Sequence, residues 1–337
     1  MRLHNRTPDI ENIYSVLRRE TPSRPTLFEL FMNDALYEVL AQRKNPEPNL
    51  TESLKFKIDA FAAAGYDYVS GYACDMSFNP SAHTKKNTIS LNEFSIIADE
   101  ASYEAFDWPD AGRCDYSSLA NVDGYMPSNM KIMVMGPGGV LENAISLVGY
   151  ENLCLMLYEE PGLLRVIFDE IGSRLLKYYE IAAGFSSVGL IMINDDWGFK
   201  TQTFLSPEHM RRYVFPWHKK IVDAAHSHGL PAVLHSCGNL EEVMADIIDM
   251  GFDGKHSFED TVLPVEDAYE KWHEKIAILG GIDVNYLIRR DVGEISSRCR
   301  AMLERTADRG GWALGTGNSV PEYIPQEKYF AMIKTAL

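Results

Sequence analysis

The feature that most limits how this chain can fold is an alternation. Eight short apolar runs, at 26–31, 66–70, 131–135, 189–194, 231–235, 252–259, 276–283 and 311–318, are separated by segments with apolar residues at helical spacing. The run at 189–194 is apolar up to its terminal Asn194, as expected of a strand covered on both faces. Eight strand-helix repeats predict an α/β chain folded as a (β/α)8 TIM barrel, with the helical pattern at 8–22 as an N-terminal extension. A doubly wound sheet would use the same alternation. It more often carries a phosphate fingerprint, and the turn Gly136-Pro137-Gly138-Gly139 lacks both the Lys-Ser/Thr of a P-loop and dinucleotide spacing.

One barrel accounts for all 337 residues, so 1–337 reads as a single domain. The stretch 71–129 breaks the alternation. It is polar, aromatic and rich in turn signals such as Asn79-Pro80, Trp108-Pro109 and Met126-Pro127. That is too long for an ordinary connection, and it is expected to be an insertion or lid after the second strand.

Charge and composition exclude several partners. The net charge is -16, from 48 acidic against 32 basic residues, which disfavours nucleic acid and anionic membrane surfaces. No run of about 18 apolar residues occurs, and the opening Met1-Arg2-Leu3-His4-Asn5-Arg6 leads into polar sequence, so a cytoplasmic protein is expected. Five scattered cysteines, an odd number, argue against a disulfide framework and leave thiols free as ligands.

In a barrel the chemistry lies at the C-terminal ends of the strands. Those ends carry Phe31 to Asp34, Cys74 and Asp75, Gly136 to Gly139, Asp195 and Asp196, His235 and Cys237, His256 and Glu259, Asp283, and Thr316 with Asn318. In an extended segment residues i and i+2 share a face, so His235 and Cys237 can aim at one bound atom, and both are good zinc ligands. Asp195 and Asp196 are candidates for acid-base work or for orienting substrate, with a helix N-cap as the alternative. His256 reads as a buried, hydrogen-bonded histidine. Asn318 and Asp283 are expected to contact substrate. Trp197, Tyr323 and the aromatics Tyr103, Phe106 and Trp108 either line a wide pocket for a large apolar cofactor or simply pack.

The same strand ends carry a resemblance. Ser206-Pro207-Glu208, Tyr213-Val214-Phe215-Pro216, His235-Ser236-Cys237-Gly238-Asn239, Gly280-Gly281-Ile282-Asp283 and Leu314-Gly315-Thr316-Gly317-Asn318 through Pro325 resemble the uroporphyrinogen decarboxylase superfamily over nearly the whole chain. The His-x-Cys-Gly element resembles its cobalamin-dependent methyltransferase branch. The resemblance implies zinc, a corrinoid methyl carrier on a partner corrinoid protein, and a small-molecule methyl acceptor such as the thiol coenzyme M. It also places Asp75 where the decarboxylases have their catalytic Asp.

This chain departs from both patterns. In place of the decarboxylases' Arg-Gln-Ala-Gly-Arg segment it has Glu29-Leu30-Phe31-Met32-Asn33-Asp34, where acidic groups would repel a polycarboxylate. In place of the methyltransferases' third zinc ligand, a Cys, it has Thr316. Glu259 is the expected substitute, because carboxylate oxygen binds zinc and adjacent strand ends lie close in a barrel, with Cys74 or Asp75 of strand two reaching across as the alternative. Corrinoid-linked methyl transfer is therefore the leading expectation, with decarboxylation of a tetrapyrrole or aromatic acid second and a non-catalytic corrinoid or small-molecule binding protein third. The assembly is left open up to a homodimer.

Overall fold

The computed structural model describes residues 3–46, 49–79 and 95–337. Seven strands, β1 (Tyr68–Tyr72), β2 (Lys131–Met135), β3 (Val188–Asn194), β4 (Ala232–His235), β5 (Gly254–His256), β6 (Ala277–Leu279) and β7 (Trp312–Ala313), form one sheet in sequence order. Every neighbouring pair is parallel. Helices connect successive strands, as parallel pairing requires. The interior is aliphatic and aromatic, and Val69, Val134, Ile191, Leu234 and Ile278 are buried on β1, β2, β3, β4 and β6.

The eighth expected strand is reduced. Residues 26–31 meet β7 through one parallel bridge, Leu27 to Leu314, with Phe28 N donating to Leu314 O and Leu314 N to Thr26 O, both at 2.8 Å. Toward β1 a side chain makes the join: the Tyr68 hydroxyl accepts from Glu29 N at 2.7 Å and donates to Glu29 O at 2.5 Å. The sheet therefore curls in the manner of a TIM barrel, but among the described residues seven strands and a bridge replace eight full strands.

Helix boundaries shift for local reasons. The N-terminal helix expected at 8–22 covers only Glu11–Leu17, because Arg19 turns to φ 62. The helix expected over 159–183 begins at Pro161, which has no N–H to bond, and runs Pro161–Ala183. The segment from Pro207 contains a π-helical turn, Met210–Val214, just ahead of Pro216. Proline cannot donate to the carbonyl one turn back, and the widened turn absorbs that lost bond.

The described parts of 71–129 pack on the helical layer. Tyr103 donates to Glu170 Oε1 at 3.2 Å, the Arg174 guanidinium lies over the Trp108 ring, and Phe106 meets Trp108 edge-on. These three aromatics thus take the packing role. Residues 80–94 of the stretch lie outside the described residues. Among the described residues no single helix is long and apolar enough to cross a membrane.

Candidate functional site

Parallel register brings three strand ends together. Asn194 of β3 lies beside His235 of β4, and His235 beside His256 of β5. Past those ends, Asp196, His235 and Cys237 each offer one ligand atom, and the three atoms lie within 4.8 Å of one another. His235 Nε2 is 3.8 Å from Cys237 Sγ and 3.7 Å from Asp196 Oδ1. The Cys237 backbone N–H donates to the same Oδ1 at 2.8 Å. An imidazole nitrogen, a sulfur and a carboxylate oxygen make a donor set that suits zinc and leaves a fourth position for a substrate atom.

Alternation along the chain explains the division of labour after β3, since successive extended residues face opposite ways. Asp196 faces the cluster, and Asp195 and Trp197 face the helices. Asp195, fully buried, accepts from Leu141 N at 3.0 Å, Glu142 N at 2.8 Å and His218 Nε2 at 2.8 Å. Its carboxylate occupies the N-terminus of the Val140–Val148 helix, so it is a cap, and its expected acid-base role is corrected. A Cβ at Gly139 would lie 2.0 Å from the Asp195 Cβ. The glycine turn serves this close approach, and a phosphate has no room at that helix end. Trp197 is likewise buried among Phe215 and His218 and does not line a substrate pocket.

Other expected residues divide similarly. Asn318 reaches the cluster, its Nδ2 donating to Cys237 Sγ at 3.3 Å. Asp283 instead caps the Val284–Arg289 helix through Asn285 N and Tyr286 N, and its other oxygen accepts from Asp260 N. Its buried carboxylate is committed to backbone amides, which corrects the substrate role expected of it. Asp75 is exposed on the turn after β1, and Tyr323 is 67 % exposed beyond β7. The Glu259 carboxylate stands apart from the cluster, 3.6 Å from Lys200 Nζ. Thr316 turns its hydroxyl away, onto Glu29 Oε1 at 2.5 Å.

Three groups near the cluster, Ser257, Lys255 and Glu142, carried no expectation from the sequence. Ser257, held at φ 83, donates its hydroxyl to Cys237 Sγ at 3.3 Å. A non-glycine residue in that region is strained, and the bend brings the hydroxyl to the thiol. Lys255 is buried and donates to the carbonyls of Ser236, His256 and Ser257, stitching β4 to β5. A charged residue inside a buried run was its only signal in the sequence. Glu142 accepts from Gly139 N at 3.2 Å, and burial with Asp195 and Asp196 nearby pushes its carboxyl well above the usual range. Glu29 is fully buried, and burial raises it to about 8. Below that value it carries no charge, and Asp34 is the exposed acid of that segment.

Burial sets the charge states in the cluster. It pushes the His235 imidazole down to about 3, with Lys255 adding to the effect, so the ring is neutral and able to ligate. Burial, then Asp196, pushes the Cys237 thiol up to about 12. Burial also brings Lys255 down to about 8 and raises Asp196. His256 uses both ring nitrogens, Nδ1 toward His235 Nδ1 at 2.8 Å and Nε2 toward Thr316 O at 3.1 Å, as a buried hydrogen-bonded histidine should.

Comparison with known proteins gives the chain a context. The profile of the family described as Uroporphyrinogen decarboxylase (URO-D) matches residues 129–336. Among curated proteins, uroporphyrinogen decarboxylase of Myxococcus xanthus is 24% identical over 164 residues, covering 46% of this chain and 42% of that protein. The enzyme of that name from Shewanella amazonensis is 24% identical over 197 residues, 55% of this chain and 51% of its own length. The matches thus span about half the length of these relatives. Among solved structures, a methyltransferase from Methanosarcina mazei superposes with a TM-score of 0.71 at 17% identity, over 96% of this chain and 97% of that one. At that identity the likeness establishes a shared fold.

Proposed function

The chain belongs to the uroporphyrinogen decarboxylase family, and within it we propose a methyltransferase that moves a methyl group between a corrinoid on a partner protein and a thiol or similar small acceptor. The observation that carries this reading is the convergence of Asp196, His235 and Cys237 within 4.8 Å at the strand ends. The donor chemistry fits zinc, with Asp196 in the third position in place of Glu259. A zinc ion held there would supply Lewis-acid charge that makes a bound thiol a nucleophile at neutral pH.

The protein's own groups have defined tasks in this reading. Neutral His235 offers Nε2 as a ligand. Ser257 and Asn318 each donate to Cys237 Sγ, which favours its thiolate over its thiol. Lys255 adds a positive charge below a site that otherwise carries two anions. An oxygen ligand in place of a second sulfur makes the metal harder, so the acceptor need not be the one used by His-Cys-Cys relatives. Tyr72 at the end of β1, and Phe31, Phe199 and Tyr323 beyond strand ends, are exposed aromatics of the kind that a large flat macrocycle can stack on.

The test is elemental analysis of protein produced with zinc, together with the absorbance of methylcobalamin mixed with protein and candidate thiols. About one zinc per chain and an acceptor-dependent spectral change support the reading. Metal-free protein, with no change lost on His235→Ala, sinks it. A second reading, decarboxylation, draws support from exposed Asp75 and from the names of the curated relatives. It predicts CO2 release from a porphyrinogen without added metal.

A further inference from the structure

A histidine that binds metal through one nitrogen depends on where its single proton sits when neutral, and here the surrounding bonds settle it. The Thr316 carbonyl can only accept, so His256 Nε2, 3.1 Å away, must carry a proton. The neutral His256 ring then has a bare Nδ1. It faces His235 Nδ1 at 2.8 Å, and one of two facing nitrogens must donate. That donor is His235 Nδ1–H, which leaves the lone pair on His235 Nε2, the atom that faces Cys237 Sγ and Asp196 Oδ1. The geometry points to His256 as a positioning residue that fixes the tautomer of His235, with the Thr316 carbonyl as the anchor.

Two further observations belong to the same device. His256 is completely buried, its ring between Phe28 at 5.2 Å and His235 at 5.0 Å, so it cannot swing to another partner. Gly280, at φ 63, leaves the necessary space: a Cβ there would lie 2.2 Å from Thr316 O and 3.0 Å from His256 Nε2. Thr316, which does not point its side chain at the cluster, thereby contributes through its backbone.

The inference rests on the metal reading for its purpose, but the tautomer can be measured without metal. In 15N-histidine-labelled, metal-free protein, ring correlation spectra should show His235 protonated at Nδ1 and His256 at Nε2. His256→Phe removes the acceptor and should shift His235 toward the Nε2–H form. His256→Gln can accept from His235 and donate to Thr316, and should restore the native pattern. Zinc or cobalt(II) titrated against a chromophoric chelator should bind about 10–100-fold more weakly to His256→Phe, the usual loss when a ligand's outer partner is removed, and regain most of that affinity in His256→Gln. Melting curves identify a variant that has lost its fold, and in that case the wild-type spectrum and His256→Gln decide. An Nε2–H tautomer at His235 in the wild type overturns the inference, as does a folded His256→Phe with unchanged spectrum and affinity. Wild-type protein that shows the stated tautomers yet binds neither metal sinks the metal reading and leaves the tautomer lock standing.

Discussion

The Cys237 backbone amide donates to Asp196 Oδ1 at 2.8 Å, tying the loop after β4 to the carboxylate at the end of β3. The bond holds a carboxylate oxygen beside the thiol. It also makes Asp196, rather than Glu259, the neighbour on which the cluster depends.

Asp196→Asn should therefore weaken zinc binding by at least about tenfold, since it removes a charged ligand and keeps only a poorer oxygen. Glu259→Gln should leave affinity within about twofold, because that carboxylate meets Lys200 instead. Competition with a chromophoric chelator measures both. Equal losses in the two variants would return Glu259 to the ligand set.

Zinc binding should release about one proton per ion at pH 7, because metal ligation requires the thiolate and burial holds the free Cys237 thiol at about 12. His235 contributes none, being already neutral. Apparent affinity should thus rise about tenfold per pH unit through the neutral range. Calorimetry in buffers of different ionisation enthalpy counts the protons, and a count near zero would contradict the assignment of Cys237.

Glu29 should make the protein less stable as pH rises. Its folded value, about 8, lies above the ordinary 4.5. The unfolded chain sheds the proton first, so the stability that neutral Glu29 allows is full below 4.5, declines between 4.5 and 8, and is then level. The total is on the order of a few kcal/mol by linkage. Glu29→Gln keeps an acceptor for the Thr316 hydroxyl and removes the titration. Urea midpoints at pH 5 and pH 8 should differ less in the variant than in the wild type, and an identical difference would show that Glu29 is already ionised in the fold.

Asp195→Ala should destabilise the fold by about 2–4 kcal/mol, since it strips the cap from the Val140–Val148 helix and leaves buried amides and His218 without a partner. Urea unfolding measures the loss. A change below about 0.5 kcal/mol, the range of ordinary surface substitutions, would mean that the cap is not what holds Asp195 in place.

Much of the fold was legible in the chain, because short β-rich runs alternating with amphipathic helices leave few ways to cover a parallel sheet. The segment at 26–31 is the exception. Its composition reads as a strand, yet it keeps one backbone bridge while the Tyr68 hydroxyl takes up Glu29. A hydroxyl from a residue 39 positions away leaves no local signal.

In the site, His235 and Cys237 were readable because two-residue spacing fixes their common face whatever surrounds them. Asp195 and Asp196 were not separable, since alternation says that they point apart but not which one points inward. That choice was made by the Val140–Val148 helix, whose free amides captured Asp195. The approach of Asp196 to His235 and Cys237, the burial of Glu29 and the His256 bond to His235 were likewise decided only in three dimensions. They depend on which strands lie side by side, and the short range of hydrogen bonds makes contacts between distant segments invisible until the chain has closed.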